Sequence, residues 1–413
     1  MSQPAQALLD DRRVLSPPIG PARARSASSP VEVAIYDDLN AIEVEWRRFQ
    51  ANAEGFAFQS FDWLATWQAH VGRRENAKPA IVIGRADGEM LFLIPLAITP
   101  GVVRRLSFLG SALCDYNAPM LAADFSERVG PEQFPELWRT ICTRLQNMPE
   151  HRHDLIDLTR MPETIGAQRN PFLALGTALH PSGAHLMELH GPWEDFYQSK
   201  RSSVTRRRDR SKRKRLEEMG EVRFVEPQGA DAVGRTVEAL MAQKSAAFAR
   251  MGVTNIFDRP GYREFFLDAA TNAGARGLVH VSRVDVGATW AAINLGLQFQ
   301  DRYYHVLASY DEGEVARFGP GAAHLRDLIS RAIGLGLRQF DFTVGDERYK
   351  FEWADTALKL YDHIAAATPL GWVVSHQKVA LRRVKRFIKQ NEQLFGLLTR
   401  ARSQLAALRA PRP

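Results

Sequence analysis

The chain of 413 residues has only two cysteines, Cys114 and Cys142. They lie too far apart for a metal-binding or redox spacing, so they read as buried thiols in a reducing compartment. No apolar run approaches the roughly 18 residues needed to cross a bilayer. Ala5 to Leu9 is too short an apolar stretch for an export signal, and Asp10 and Asp11 follow it directly. The expectation is a cytoplasmic protein without a resident metal. Residues 1–30 are rich in Pro, Ala, Ser and Arg and show no periodicity, so they are expected to be disordered.

Acidic residues are scarce in two further places. Lys200–Arg215 holds ten cations and one acid, and residues 366–413 again hold ten cations and one acid. The whole chain is only +7, so the remaining body is acidic and carries basic attachments. A nucleic-acid-coating surface would spread its charge more evenly. The run at 200–215 also lacks aromatics, which argues against stacking on single-stranded nucleic acid. It reads either as a solvated helix or as an electropositive arm for a polyanion, such as a CoA phosphate, tRNA or anionic lipid.

Hydrophobic content of 45% and charged content of 24% describe a globular chain long enough for two domains. Periodicity predicts strands at Val31–Tyr36, Pro79–Arg85, Met90–Ile98, Arg104–Gly110 and Leu155–Leu158, with a further strand at Ala184–Leu189. Asp87-Gly88 marks a tight hairpin. Helices are predicted at Leu39–Gln50, from Ser60 as N-cap, and at Glu132–Asn147. After a basic helix at Trp193–Leu216 the pattern repeats. A strand at Glu221–Glu226, helices at Asp231–Met251 and Pro260–Ala273, and strands at Gly277–Val284, Ala288–Phe299 and Arg302–Leu307 come next. A last strand is expected near Leu358–His363. Each half reads β-α-α-β-β-β-α-β, so the fold class is α/β (α+β, mixed sheet) in two similar lobes. The predicted bounds are 31–190 and 191–365, followed by a basic helical tail over 366–413.

Chemistry concentrates between Arg317 and Trp353. Arg317-Phe-Gly319-Pro-Gly321-Ala322 runs into a helix over Leu325–Leu337. A glycine loop at a helix N-terminus leaves backbone N–H groups free and is a seat for a pyrophosphate, although such loops also serve as plain turns. Gln339–Thr343 alternates polar and aromatic residues and is a strand. It puts Phe340 and Phe342 on one face and Asp341 on the other. The turn at Gly345-Asp346-Glu347 then delivers Tyr349 and Lys350. Asp346 and Glu347 are alternatively carboxylate caps for a helix from Arg348. Asp115 and Tyr116 follow a strand end, in a bonded loop or on a substrate-facing edge.

These residues carry a resemblance. The duplicated β-α-α-β-β-β-α-β order resembles a GNAT acyltransferase fold in tandem. The phrase at 340–350, the Gly-Pro-Gly loop, the Gly110…Asp115-Tyr116 segment and the basic helix at 200–215 resemble the CelD/BioF-like acetyltransferase family. That family lies near the FemAB-type aminoacyl transferases. The resemblance spans about residues 31–365, and Gly-Asp-Glu-x-Tyr-Lys is its specific part. It implies acyl transfer from acetyl-CoA or acyl-CoA to an amine or hydroxyl, in exopolysaccharide, cellulose or cell-envelope metabolism. The chain departs from the usual GNAT pyrophosphate signature in having Ala316 at its first position, with Arg317 one place late.

On that reading Arg317, Gly319, Gly321 and Ala322 hold the donor, and the strands at Tyr303–Leu307 and Gln339–Thr343 part to admit its pantetheine arm. Asp341 is the candidate base, Tyr349 the candidate acid, and Lys350 holds an anionic group of either substrate. Asp115, Tyr116, His305 and Asp346 are candidates for the acceptor side, His305 being alternatively an ordinary sheet histidine. An aminoacyl-tRNA donor and a non-catalytic scaffold are the competing readings. The tail from Trp372 either docks on the body or lies on the inner face of an anionic membrane.

Overall fold

The computed structural model describes residues 30–272 and 277–390. The segment expected to be disordered and the end of the tail, 391–413, lie outside the described residues. The first half contributes β1 (Glu32–Tyr36), β2 (Lys78–Ala86), β3 (Glu89–Thr99), β4 (Arg105–Phe108), β5 (Met120–Leu121) and β6 (Leu155–Pro162). A small hairpin of β7 (Thr164–Ile165) and β8 (Gln168–Arg169) follows, then β9 (Ala178–Leu179) and β10 (Ala184–Glu188). The second half supplies β11 (Val222–Val225), β12 (Val279–Val286), β13 (Thr289–Phe299), β14 (Arg302–Tyr310), β15 (Gln339–Val344), β16 (Thr356–Leu358) and β17 (Leu360–Ala366). The helices are α1 (Glu43–Gln50), α2 (Phe61–Trp67), α3 (Phe125–Arg128), α4 (Phe134–Asn147), α5 (Trp193–Lys200), α6 (Ser203–Glu217), α7 (Ala230–Met251), α8 (Tyr262–Thr271), α9 (Pro320–Gly334), α10 (Arg348–Trp353) and α11 (Pro369–Gln390).

The first sheet runs β1-β2-β3-β4-β6-β17-β9, with β5 on β3, and the second runs β11-β12-β13-β14-β15-β10-β16. Each has four antiparallel neighbours and then a parallel step, β4 to β6 or β14 to β15. A parallel neighbour needs a long crossover, which α4 and α9 provide. The sixth strand of each sheet comes from the other half of the chain. β10 pairs with β15, and β17 pairs with β6. The linear order of elements does not reveal this exchange. It ties the halves together through backbone ladders. One apolar core also runs through both, with Trp63 of α2 against Phe265 of α8 at 4.7 Å between ring centroids.

Local chemistry explains most element ends. Asp87 and Gly88 both take positive φ (54° and 80°), the backbone a two-residue hairpin requires. The predicted helix at Trp193–Leu216 is broken at Arg201-Ser202, where the Ser202 hydroxyl accepts a bond from the Thr205 N–H and starts α6. Ser60 precedes α2 as expected, but its hydroxyl donates to the Ala57 carbonyl and leaves the helix uncapped. α9 starts at Pro320, earlier than Leu325, because proline suits the first helical position and Gly319 supplies a left-handed turn before it. Glu347 stands at the N-cap of α10 without capping it, since its carboxylate pairs with Lys350 at 3.0 Å.

The tail docks on the body through α11. Lys378 and Arg382 pair with Asp157 of β6 at 2.6 and 2.8 Å, and Arg382 also reaches Asp362 of β17. Among the described residues no helix is long and apolar enough to cross a membrane.

Candidate functional site

The two parallel strands of the second sheet part company after three residues. Arg302, Tyr303 and Tyr304 pair with Gln339, Phe340 and Asp341, and there the ladder ends although β14 runs on to Tyr310 and β15 to Val344. Two irregularities accompany the split. The β13–β14 register skips Val306, a bulge that re-aims the edge of β14. On β15, Thr343 takes a positive φ of 59°, an unusual conformation for a β-branched residue. The Thr343 hydroxyl reaches back across the gap to the His305 carbonyl at 3.3 Å. In the first sheet the matching gap is filled. The Asn117 N–H and side-chain amide bond to the carbonyls of Arg160 and Thr159 on β6.

The N-terminus of α9 stands beside the open split. Its first internal bond runs from the Ala323 N–H to the Gly319 carbonyl, so the N–H groups of Gly321 and Ala322 precede the helical ladder. Lys212 of the basic arm leans over this turn. A Cβ placed on Gly319 would lie 3.6 Å from its Nζ. Arg317 is exposed and stacks on its own neighbour, Phe318. Within the arm, Arg206 and Arg213 are spent on backbone carbonyls and on Glu217, while Arg207, Arg208, Arg210 and Lys214 are exposed.

The lobes meet at the inner end of the split. Tyr116 and Asp341, 225 positions apart, form a 2.6 Å hydrogen bond with both side chains fully buried. The same Asp341 oxygen accepts the Thr343 N–H at 2.8 Å, and the other faces Arg302 at 3.3 Å. Burial raises the Asp341 pKa, against the opposing pull of Arg302 and Tyr116. Its oxygens are already engaged by three donors, an arrangement that positions the lobes and leaves little room for a substrate proton.

Asp115 is half-buried beside this network. Burial raises its pKa, while Arg160, the Thr343 hydroxyl and Lys350 oppose the rise. The Lys350 ammonium is buried, donating to the Val344 carbonyl at 2.8 Å and pairing with Glu347. His305 lies between Phe340 and Tyr349, with ring centroids at 6.1 and 6.3 Å. Burial, then the charges of Lys350 and Lys244, push its pKa down to about 3, so it is neutral at pH 7. Burial and the Glu347 charge push the Tyr349 phenol well above its ordinary value, so it stays protonated. Asp346 is exposed at the turn, close enough to His185 to act on its charge. Among the described residues no group of three or more His, Cys, Asp or Glu side chains is arranged to hold a metal.

Asp115, Tyr116, His305, Asp341, Tyr349 and Lys350 therefore converge on one region, with the α9 turn at its mouth. Sequence reasoning missed Arg302, Thr343 and Lys244. Lys244 carried a signal. It follows Leu240 and precedes Phe248 at four-residue steps, which puts a cation on the apolar face of α7, where burial lowers its pKa.

Residues 203–351 match the family model described as acetyltransferase (GNAT) domain. That lobe has a GNAT fold, and the first sheet repeats its strand order of four antiparallel strands and a parallel step. Among solved structures, FemX aligns with a TM-score of 0.56 at 11% identity, over 81% of this chain and 98% of that one. A conserved protein of unknown function from Bacteroides thetaiotaomicron VPI-5482 aligns at 0.54 and 12% identity, over 80% and 99% of the two chains. A search among curated protein sequences found no match. The GNAT assignment makes acyl transfer the general chemistry of the matched domain. The split strands, the α9 turn and the buried polar cluster all lie within or against that GNAT lobe.

Proposed function

We propose that the chain transfers an acyl group from a CoA-type thioester to an amine or hydroxyl acceptor, in polysaccharide or cell-envelope metabolism. The observation that carries the donor is the split between β14 and β15 with the α9 N-terminus at its mouth. The unpaired strand edge offers backbone groups to a pantetheine amide. The N–H groups of Gly321 and Ala322, with Lys212 above Gly319, offer positive charge to a pyrophosphate. The first lobe has its gap closed by Asn117, so it serves as the second wall of the cleft.

In this reading the acceptor enters from the lobe interface. Asp115, whose raised pKa makes its carboxylate a stronger base, takes the proton as the acceptor attacks the thioester carbonyl. The new C–N or C–O bond forms and the C–S bond breaks. Tyr349, held protonated, supplies a proton to the leaving thiolate. Asp341 holds Tyr116, Arg302 and Thr343 and so positions the cleft. Neutral His305 and the Lys350–Glu347 pair line the route.

A second reading rests on the exposed cations of α6. Four of them, Arg207, Arg208, Arg210 and Lys214, face solvent near the donor turn and suit a larger polyanion such as aminoacyl-tRNA. Calorimetric titration of acetyl-CoA and CoA separates the two. Binding to the wild type that Gly321→Trp abolishes supports the CoA donor. No CoA binding, with salt-sensitive tRNA binding lost on Arg207→Ala/Arg208→Ala/Arg210→Ala, moves the assignment to aminoacyl transfer.

A further inference from the structure

α11 presents its faces the opposite way round from an ordinary surface helix. Gly371, Ser375, Lys378 and Arg382 recur at helical spacing and form the inward face. A Cβ on Gly371 would fall 1.7 Å from the Asp154 carbonyl oxygen, so the helix backbone lies directly on the body. Lys378 and Arg382 complete the docking through Asp157 and Asp362. The side turned to solvent carries a stripe of large apolar residues beside exposed His376, Gln377 and Arg383. Trp372, Val373, Leu381, Val384 and Phe387 are 57%, 49%, 56%, 54% and 64% exposed. A surface helix normally buries such a stripe.

The charge along the same helix indicates what covers it. Between Pro369 and Gln390 there are six cations and no Asp or Glu. Lys378 and Arg382 are neutralised by docking. Arg383 is exposed, and the sequence from Arg383 to Gln390 adds Lys385, Arg386 and Lys389 without an acid. A second copy of the chain laid against this stripe would bring two cationic helices together with no acid between them. Residues 391–413 add four arginines against one glutamate, so folding back over the stripe would also leave the charge uncompensated. An anionic bilayer supplies both an apolar layer for the stripe and negative charge for the cations. Tryptophan at the edge of such a helix suits the headgroup region.

We propose that α11 seats the protein on an anionic lipid surface, its apolar stripe inserted among the headgroups while Lys378 and Arg382 hold it to the first sheet. The proposal is independent of the acyl-transfer reading, since no residue of the cleft takes part in it.

The test is co-sedimentation of the full chain with vesicles of pure phosphatidylcholine and of phosphatidylcholine mixed three to one with phosphatidylglycerol. The expected result is pelleting with the anionic vesicles only, weakened by added salt. A Val384→Ser/Phe387→Ser variant, and separately Trp372→Ser, should reduce the partition coefficient about tenfold or more. These side chains are exposed, so the variants should melt as the wild type does, and far-UV circular dichroism gives a second check of their folding. Three outcomes overturn the proposal: no pelleting with anionic vesicles, pelleting that the variants leave unchanged, or pelleting with neutral vesicles to the same extent. Sedimentation velocity supplies a further overturning result, a wild-type dimer that the variants dissociate, which would make the stripe a self-association face.

Discussion

Removing one hydroxyl should loosen the junction of the two lobes. Tyr116→Phe deletes the 2.6 Å bond to Asp341 and changes little else, because the ring still packs on Phe56 and Phe58. The bond is short and charge-assisted, and its acceptor is fully buried. A hydrogen bond to a charged group contributes about 2 kcal/mol, and no water replaces it inside the core. Unfolding entropy of about 2.1 cal/mol/K per residue makes the melting temperature of a chain this long insensitive, so that loss lowers it by only about 2–3 °C. Asp341→Asn should cost more, about 3 kcal/mol, because it leaves the half-buried Arg302 without its charge partner. The assay is urea and thermal denaturation of wild type, both single variants and the double variant. The double variant should be less destabilised than the sum of the singles, with a coupling of about 1 kcal/mol or more. A Tyr116→Phe protein that melts with the wild type, or singles that simply add, would refute the idea that this bond anchors the lobes.

Other expectations follow from buried groups and close contacts. His305 and His324 have pKa values lowered to about 3, chiefly by burial. Their folded values lie below the unfolded value, so the stability they allow is present above about pH 6.5 and is lost as pH falls, by up to about 1.4 kcal/mol per pH unit for each. Urea midpoints measured between pH 7.5 and 5.5 should fall, and His324→Gln should flatten that slope. Asp115 and Asp341, with raised values, act in the opposite sense and gain stability on further acidification through their folded pKa values. Lys212→Met should weaken CoA binding about tenfold (about 1.4 kcal/mol), as read by calorimetry, while a pantetheine lacking the pyrophosphate should bind wild type and variant alike. Gly371→Val should lift α11 from β6, because the added side chain meets the Asp154 carbonyl. Hydrogen exchange should then lose protection in α11 and in the β6–β17 ladder, with the second sheet unchanged.

Local pattern was enough for much of the fold. The helical spacing of Leu325, Leu328, Ile329 and Ala332 predicted α9, and all four are buried. The Asp87-Gly88 turn and the polar–aromatic alternation of Gln339–Thr343 also appear as read. These features depend on neighbours within a few residues, through backbone sterics and the period of one face. The repeated order of elements showed two lobes for the same reason. The start of α9 was read at Leu325, five residues late, although a proline after a left-handed glycine is a local instruction to start a helix.

Only the tertiary structure decided which strands close which sheet. β10 and β17 each sit in the sheet of the opposite half, and a strand's backbone groups bond equally well to any suitable edge, so sequence proximity carries no vote. The same holds for the site. Asp115 and Tyr116 become neighbours of Thr343, Lys350 and Asp341 only when the lobes pack, and the raised pKa values of Asp115 and Asp341 come chiefly from the burial that packing creates. The orientation of α11 was open for a related reason. Its apolar and basic residues would serve either docking or a membrane, and the acceptors that turned Lys378 and Arg382 inward, Asp157 and Asp362, lie on strands from both halves of the chain.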